Sequence, residues 1–278
     1  MTQNDSQESE LHHGSAARAL RILESFSVLR PNLSFNEIEM KTCIPRSSVF
    51  RLLKTLTHLN YLRYHAESKK YSLGPRVLSL GFSVLQSMEI RELARPFMER
   101  LSREFNKSVN LLMLDRERMV FIERIRVPGR MDFNISVGST VPAYSTASGK
   151  VVLSHLDDNH LAKIVREMEK DPQAAKYVGK NGKKLAQALK EVRQDGFAIY
   201  EEEVFRGFRA VAVPILTSEE IPYAMDIIVG VEEASVDKLK TLYAPKLIKA
   251  GKEISKVLGH VESDQIKANL SSTRYDPR

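Results

Sequence analysis

A single cysteine, Cys43, stands among 278 residues. That excludes an intramolecular disulfide and a zinc–cysteine cluster, and it fits a reducing compartment. Long hydrophobic runs are missing too. The longest, such as residues 210–216, are far too short to span a bilayer. Residues 1–14 hold Asp5, Glu8, Glu10 and two histidines but no apolar core. They read as a disordered tail and not as a signal peptide or an anchor. A cytoplasmic protein with no membrane partner is expected. Acidic residues are scarce in one region above all. Residues 45–76 hold seven cations (Arg46, Arg51, Lys54, Arg63, Lys69, Lys70 and Arg76) against one anion, Glu67, so most of the net charge of +7 sits there. A concentrated basic patch is the footprint of a polyanion partner, although a generic basic surface would give the same count. The remaining composition, 42% hydrophobic and 28% charged, is that of a globular chain long enough for two domains.

Within the basic region, Val49, Leu52, Leu53, Leu56 and Leu59 recur at the spacing of one buried helical stripe. The opposite face carries Ser47, Arg51, Lys54 and His58, with Phe50 at its edge. Pro45 suits the first helical position. Alone, such a helix is a solvated surface helix, but its neighbours change the reading. Residues 15–29 form an earlier amphipathic helix through Ala16, Ala19, Leu20, Leu23 and Phe26. Ser34-Phe35-Asn36-Glu37 is a capping box that opens a short helix ending near Thr42. About three residues then lead into the Pro45 helix, which is helix-turn-helix order. Residues 61–64 and 70–73 flank a polar turn and read as a hairpin, a wing whose Lys69 and Lys70 reach phosphates beside a groove. Residues 15–76 therefore make a complete winged helix-turn-helix DNA-binding domain.

Residues 77–90 are an apolar linker helix, expected to pack against another subunit. A second amphipathic helix at 90–105 uses Ile90, Leu93, Phe97, Leu101 and Phe105. Beyond residue 106 the pattern turns to strands at 109–114, 119–122, 131–137, 197–200, 208–216 and 223–231. Helices fall at 147–155, 161–169 and 184–194, and a closing helix at 236–258 is kinked at Pro245. The fold class is α+β: a winged helix-turn-helix, a linker helix, an antiparallel-sheet effector domain over 91–261, and a flexible tail over 262–278.

Catalytic motifs fail on inspection. Ser145-Thr146-Ala147-Ser148-Gly149-Lys150 suggests a phosphate loop, but Tyr144 stands where a glycine is required and Val151 where a Ser or Thr is required. A Ser-x-x-Lys nucleophile would need serine at Ala147. No nucleophile elbow and no His-Glu-x-x-His helix occurs, and His155 and His160 do not share a helix face. Glu201-Glu202-Glu203 reads as a solvated turn rather than a metal or catalytic site. No catalytic residue, cofactor or metal is expected.

Two groups of motifs resemble the IclR-type transcriptional regulators. The first is Arg46-Ser47-Ser48-Val49-Phe50-Arg51-Leu52-Leu53, then Tyr61-Leu62 and Tyr71-Ser72-Leu73-Gly74. The second is Val137-Gly138, Val141 to Lys150, Asp195-Gly196-Phe197, Glu201 to Glu203 and Gly207 to Pro214, which is similar to that family's GAF-like effector domain. The likeness spans residues 15–261 in the family's order. It implies a homodimer or tetramer on near-palindromic double-stranded DNA, answering to a small organic acid, with aromatic and sugar acids as candidates. It implies a repressor, rather than an activator, of a catabolic operon. Carried over by position, the DNA contacts are Arg46, Ser47, Ser48, Arg51 and Lys54, with Phe50, Lys69 and Lys70 beside them. Arg51 is the residue suited to bidentate reading of guanine, and Ser47, Ser48, Lys54 and Lys69 are suited to phosphates.

The implied effector positions are Arg130, Ala147, Ser148, Tyr200, Phe208, Ala210, Ile227 and Val229. The chain departs from the family at Cys43, where a turn glycine is usual, at Ala210, where cysteine is common, and at Ile227 and Val229, where small hydroxyl residues are common. Apolar walls with one guanidinium at Arg130 suit a carboxylate on an apolar or aromatic body. The other reading is that Ile227 and Val229 pack the core and Arg130 points to solvent. Asp226, between Met225 and Ile227, is expected to face away from the pocket, toward a subunit contact. Two other functional readings stay open: an enzyme or small-molecule carrier with an accessory DNA-binding module, and a non-specific architectural DNA binder.

Overall fold

The computed structural model describes residues 14–27, 29–127, 135–203, 205–217 and 221–260. The expected tails, Arg130 and most of the strand expected at 131–137 lie outside the described residues. Two compact units meet in sequence between Ser87 and Met88. The first runs α1 (Gly14–Glu24), β1 (Asn32–Ser34), α2 (Phe35–Thr42), α3 (Arg46–His58), β2 (Leu62–His65), β3 (Lys70–Leu73) and α4 (Pro75–Gln86).

Helix α1 stops five residues before the end expected from the sequence. Ser25 Oγ donates to the Ile22 carbonyl at 2.7 Å and Lys41 Nζ donates to the Ser25 carbonyl at 2.9 Å, so the chain turns there. The capping box of α2 closes from both sides. The Ser34 N–H donates to Glu37 Oε2 at 2.8 Å and the Glu37 N–H donates to Ser34 Oγ at 3.3 Å. These bonds hold the Glu37 carboxyl below its ordinary pKa. Helix α2 ends on Cys43, which is left-handed at φ 53°, ψ 28°. Pro45 is the N-cap of α3 and not its first helical residue, because its own carbonyl accepts from the N–H groups of Ser48 and Val49.

Val49, Leu53 and Leu56 are buried with Ile22, Leu33, Ile38 and Leu62. Leu59 is exposed at the helix end. The sheet order is β1-β3-β2. Strand β1 escaped the sequence reading because three residues with one apolar side chain carry no period. After the wing, Gly74 lies so close to the previous turn that a Cβ would fall 2.2 Å from the Asn60 carbonyl oxygen. Helix α4 buries none of its side chains, and Leu78, Leu80, Phe82 and Val84 are exposed.

The second unit begins with α5 (Glu89–Phe105), β4 (Val109–Asp115), β5 (Arg118–Ile125) and β6 (Thr140–Pro142). It continues with α6 (Ala147–Leu153), α7 (Asp158–Met168), α8 (Ala175–Val178), α9 (Lys183–Asp195), β7 (Ala198–Glu201), β8 (Phe208–Ile215) and β9 (Tyr223–Gly230), and closes with α10 (Val236–Lys238) and α11 (Ala244–Val257). Six antiparallel strands form one sheet in the order β6-β5-β4-β9-β8-β7. Helix α6 covers one face. Helices α5 and α11 cover the other, where Gly251 of α11 sits against Val213 and the Pro214 carbonyl.

The long closing helix of the sequence reading is interrupted by a π turn, Leu239–Tyr243, just before Pro245. Proline has no N–H for the Thr241 carbonyl, and one wider turn accommodates the loss. Helix α5 buries Ile90, Ala94, Met98 and Leu101, a stripe rotated from the expected one, and leaves Leu93, Phe97 and Phe105 half-buried. No helix among the described residues is long and apolar enough to cross a membrane.

Candidate functional site

Helix α3 presents Ser47, Phe50, Arg51, Lys54 and His58 to solvent. Phe35, Arg46, Ser47, Phe50 and Arg51 line an open hollow of about 1070 Å³. The basic residues of this face are not equivalent. Arg46 Nη1 donates to Glu39 Oε2 at 2.7 Å and to Asn36 Oδ1 at 3.3 Å, and its guanidinium lies 4.6 Å from the Phe35 ring centre. Arg46 therefore braces α2 against α3. The Lys54 ammonium lies 4.8 Å from the centre of the half-exposed Phe50 ring. Ser48 is half-buried in the first turn, behind Ser47.

In the wing, β2 pairs with β3 from Leu62 opposite Leu73 to His65 opposite Lys70. The Tyr64 and Tyr71 rings pack at 4.9 Å, and His65 Nε2 and Ser72 Oγ share a hydrogen bond of 2.8 Å. Lys69, at the tip of the turn, takes φ 53° and is exposed. Lys70 is half-buried, and its charge helps hold down the Glu37 pKa.

In the second unit the register decides which side chains share a face. Tyr200 pairs with Ala210, Ala210 with Ile228, Ala212 with Asp226, Asn110 with Asp226, and Asn110 with Arg124. Residues directly opposite across a ladder point the same way. Tyr200, Ala210 and Ala212 are buried with Ala147 and Val151 of α6. Asn110, Arg124, Phe208, Asp226 and Ile228 therefore face α6 as well. Val109, Val211, Met225, Ile227 and Val229 face α5 and α11.

Two expectations are corrected. Ile227 and Val229 lie on the face opposite α6, away from Ala147 and Ser148. Asp226 is on the α6 side and is 3% exposed, so it meets no subunit from outside. The reason is that β4, β8 and β9 are covered on both faces. An alternation of apolar and polar residues then carries no sign telling one face from the other. Of the remaining expected positions, Ala147, Ser148, Tyr200, Phe208 and Ala210 gather on the α6 side.

The cluster at the centre of that face is polar. Asn110 Nδ2 donates to Asp226 Oδ1 at 2.7 Å. Burial pushes the Asp226 pKa up to about 7, against the pull of the Asn110 bond, the Arg124 charge and the Ser148 hydroxyl. Arg124 Nη1 donates to the Ile135 carbonyl at 3.1 Å. Among the described residues, Asn110 Oδ1 and the hydroxyl of fully buried Ser145 find no hydrogen-bond partner. Such atoms are costly unless something else meets them.

Sequence reasoning missed Asn110 and Arg124. The available signal was one polar residue inside each of two apolar strands: Asn110 in 109–114 and Asp226 in 223–231.

The Ser-Gly-Lys segment has a structural purpose. Thr146 caps α6, accepting from the Gly149 N–H at 3.2 Å and donating to the Pro142 carbonyl at 3.0 Å. A Cβ on Gly149 would lie 2.0 Å from the Ala143 carbonyl oxygen. Lys150 pairs with Glu203 at 2.6 Å. Glu202 accepts from the Gly207 N–H at 2.6 Å, and Glu201 pairs with Arg209 at 2.9 Å. Each glutamate of that run has a structural partner. Among the described residues, no group of His, Cys, Asp and Glu is arranged to hold a metal.

Comparison with known proteins agrees with these features. Residues 15–66 match the IclR helix-turn-helix domain model and residues 82–256 match the model for the bacterial transcriptional regulator IclR C-terminal. The Pca regulon regulatory protein of Pseudomonas putida is 28% identical over 242 residues, covering 86% of this chain and 82% of its own. Other curated relatives carry the word repressor in their names. The crystal structure of an IclR family transcriptional regulator from Brucella abortus is 25% identical and superposes with a TM-score of 0.80, over 92% of this chain and 97% of that one. An IclR homolog from Microbacterium hydrocarbonoxydans, complexed with 4-hydroxybenzoate, shares the fold with a TM-score of 0.68 at 21% identity, over 88% and 99% of the two chains. The relatives are transcriptional regulators and not enzymes. The chain belongs to the IclR family of bacterial transcriptional regulators.

Proposed function

We propose that this regulator is a ligand-controlled repressor, rather than an activator, of a catabolic operon. It reads a near-palindromic operator as a homodimer or tetramer and responds to a small hydroxylated organic acid. The observation that carries the DNA reading is the exposed Ser47–Arg51–Lys54 face of α3, braced from behind by the Arg46–Glu39 pair. Arg51 has the fork that reads guanine. Ser47, Ser48, Lys54 and Lys69 position phosphates, with Lys70 and Phe50 at the margins. Arg46 contributes mainly by setting the angle between α2 and α3.

The effector reading rests on the α6 face of the sheet. Arg124 supplies a cation on that face, and Asn110 Oδ1 offers an acceptor without a partner. A carboxylate meets the first and a hydroxyl the second. The 4-hydroxybenzoate held by a relative of this fold has both groups, on an aromatic body. Ala147, Ser148, Tyr200, Phe208 and Ala210 form the walls, and Arg130 remains a second source of positive charge. Occupation of this face would alter the spacing that paired α3 helices can meet on DNA.

The deciding measurement is fluorescence anisotropy with the DNA upstream of the regulator's own gene, titrated with and without 4-hydroxybenzoate and sugar acids. Salt-dependent, sequence-preferring binding that an acid weakens supports the proposal. Equal affinity for random DNA would refute it. A reporter fused to that upstream DNA reads the sign, and rising transcription on deletion of the regulator identifies a repressor.

A further inference from the structure

Phe50 is 53% exposed on the solvent face of α3, among hydroxyls and cations. Ser47 stands one turn before it, Lys54 one turn after it, and Arg51 beside it. Phe50 takes no part in the hydrophobic core of the first unit. That core packs Val49, Leu53 and Leu56 from the other side of the same helix and has Phe35 at its margin. A single exposed ring is ordinary on a protein surface. The surroundings of this one are not. The Lys54 ammonium lies over the Phe50 ring and the Arg46 guanidinium over the Phe35 ring. Both rings line the same open hollow, with Ser47 and Arg51.

A phosphate offers an aromatic ring nothing. Ser47, Arg51 and Lys54 can donate hydrogen bonds to phosphates or base edges, and Phe50 cannot. The one apolar substituent that the four bases carry into the major groove is the 5-methyl group of thymine. We infer that Phe50 reads sequence, its ring packing on the 5-methyl group of one thymine in each operator half-site. The contact needs α3 in the major groove, so it rests on the DNA reading proposed above. It adds a base preference that the Arg51 fork does not supply. The worth of the contact is the burial of one methyl group against a ring that is already half-covered. Lys54 rests on that ring while its charge reaches for a phosphate, so the backbone contact sets where the ring sits over the base.

Thymine scanning tests the contact, by fluorescence anisotropy of the full-length protein on the DNA upstream of its own gene. Each thymine of the bound segment is replaced in turn by deoxyuridine, which removes the methyl group and leaves every hydrogen-bonding group of the base in place. One position in each half-site should lose about three- to fivefold in affinity, as expected for one methyl group. Phe50→Ala should bind the thymine and deoxyuridine DNAs alike at that position. Phe50→Leu, still apolar, should keep part of the difference. Arg51→Ala should weaken binding and keep the difference in full. Phe50 is exposed, so its variants should melt with the wild type. Cytosine and 5-methylcytosine compared at the same position give a second measure: methylation should strengthen binding by wild type but not by Phe50→Ala.

If no deoxyuridine substitution weakens binding, or if Phe50→Ala still loses affinity with deoxyuridine, the contact is refuted while operator recognition stands. A ring stacked between bases would give that result, because stacking does not need the methyl group. If operator and random DNA bind alike, the DNA reading itself fails and the contact falls with it.

Discussion

Asn110 donates to Asp226 at 2.7 Å across two neighbouring strands, 116 residues apart in the chain, and both side chains are buried. An acid with a folded pKa near 7 and an ordinary value of 3.8 binds its proton more tightly in the folded chain than in the unfolded one. Its contribution favours the folded state at low pH. It drains away as pH rises from about 4 to about 7 and changes little above that. Asp226→Asn should remove this slope, giving urea midpoints that rise relative to wild type as pH rises through that window. Parallel pH profiles for the two proteins would argue against a raised pKa. In the same variant, acid-effector binding should lose any dependence on pH above neutrality, because the amide donates a hydrogen bond at every pH.

Gly149 has no room for a methyl group, since the obstacle is the backbone of Ala143 and not a movable side chain. Gly149→Ala should destabilise the protein by about 3 kcal/mol, at the upper end for overpacking. Chemical denaturation measures it. A loss below about 1 kcal/mol would mean that α6 can shift away from the turn before it.

Cys43 holds a left-handed conformation that glycine adopts without strain. Cys43→Gly should therefore raise stability by up to about 1 kcal/mol, the relief of strain being partly offset by greater freedom of the unfolded chain. Cys43→Val should lower it. If both substitutions move the melting temperature the same way, the turn is not strained at this residue.

Three substitutions on the DNA face should behave differently. Arg51→Ala should cost about 1–3 kcal/mol in operator affinity and relax preference at one base position. Lys69→Ala should weaken all sequences alike and flatten the salt dependence. Arg46→Ala should lower operator affinity together with folding stability, because it removes the brace to Glu39 and Phe35. Anisotropy on operator and scrambled DNA, paired with melting curves, tells the three apart. Identical behaviour of Arg51→Ala and Lys69→Ala would dissolve the proposed division between base and phosphate contacts.

Arg124→Gln should abolish the response to an acid effector while leaving operator affinity intact. Undiminished induction of a reporter would assign the anion to another cation, and Arg130→Gln is the next substitution to measure.

Much of the molecule was legible before any coordinates. The capping box at Ser34, the stripe through Val49, Leu53 and Leu56, the wing and the basic excess over residues 45–76 are local patterns. Their physics acts over a few residues, so sequence suffices to read them. The motif around Gly149 was equally visible, although its meaning was not. Its glycine answers to a backbone contact with Ala143, and its lysine to Glu203, far along the chain.

What sequence by itself determined was the family, the helix-turn-helix with its wing, and the change to strands after residue 106. What only tertiary structure decided was orientation. Arg46 turned out to be tied to Glu39. Ile227 and Val229 lie opposite the α6 face, and Asp226 lies on it. Alternation along a strand separates two faces but does not name them. In a sheet buried on both sides, hydrophobicity cannot name them either. Only the register among β4, β8 and β9, and the helix packed on each side, shows that Asn110, Arg124 and Asp226 share one interior.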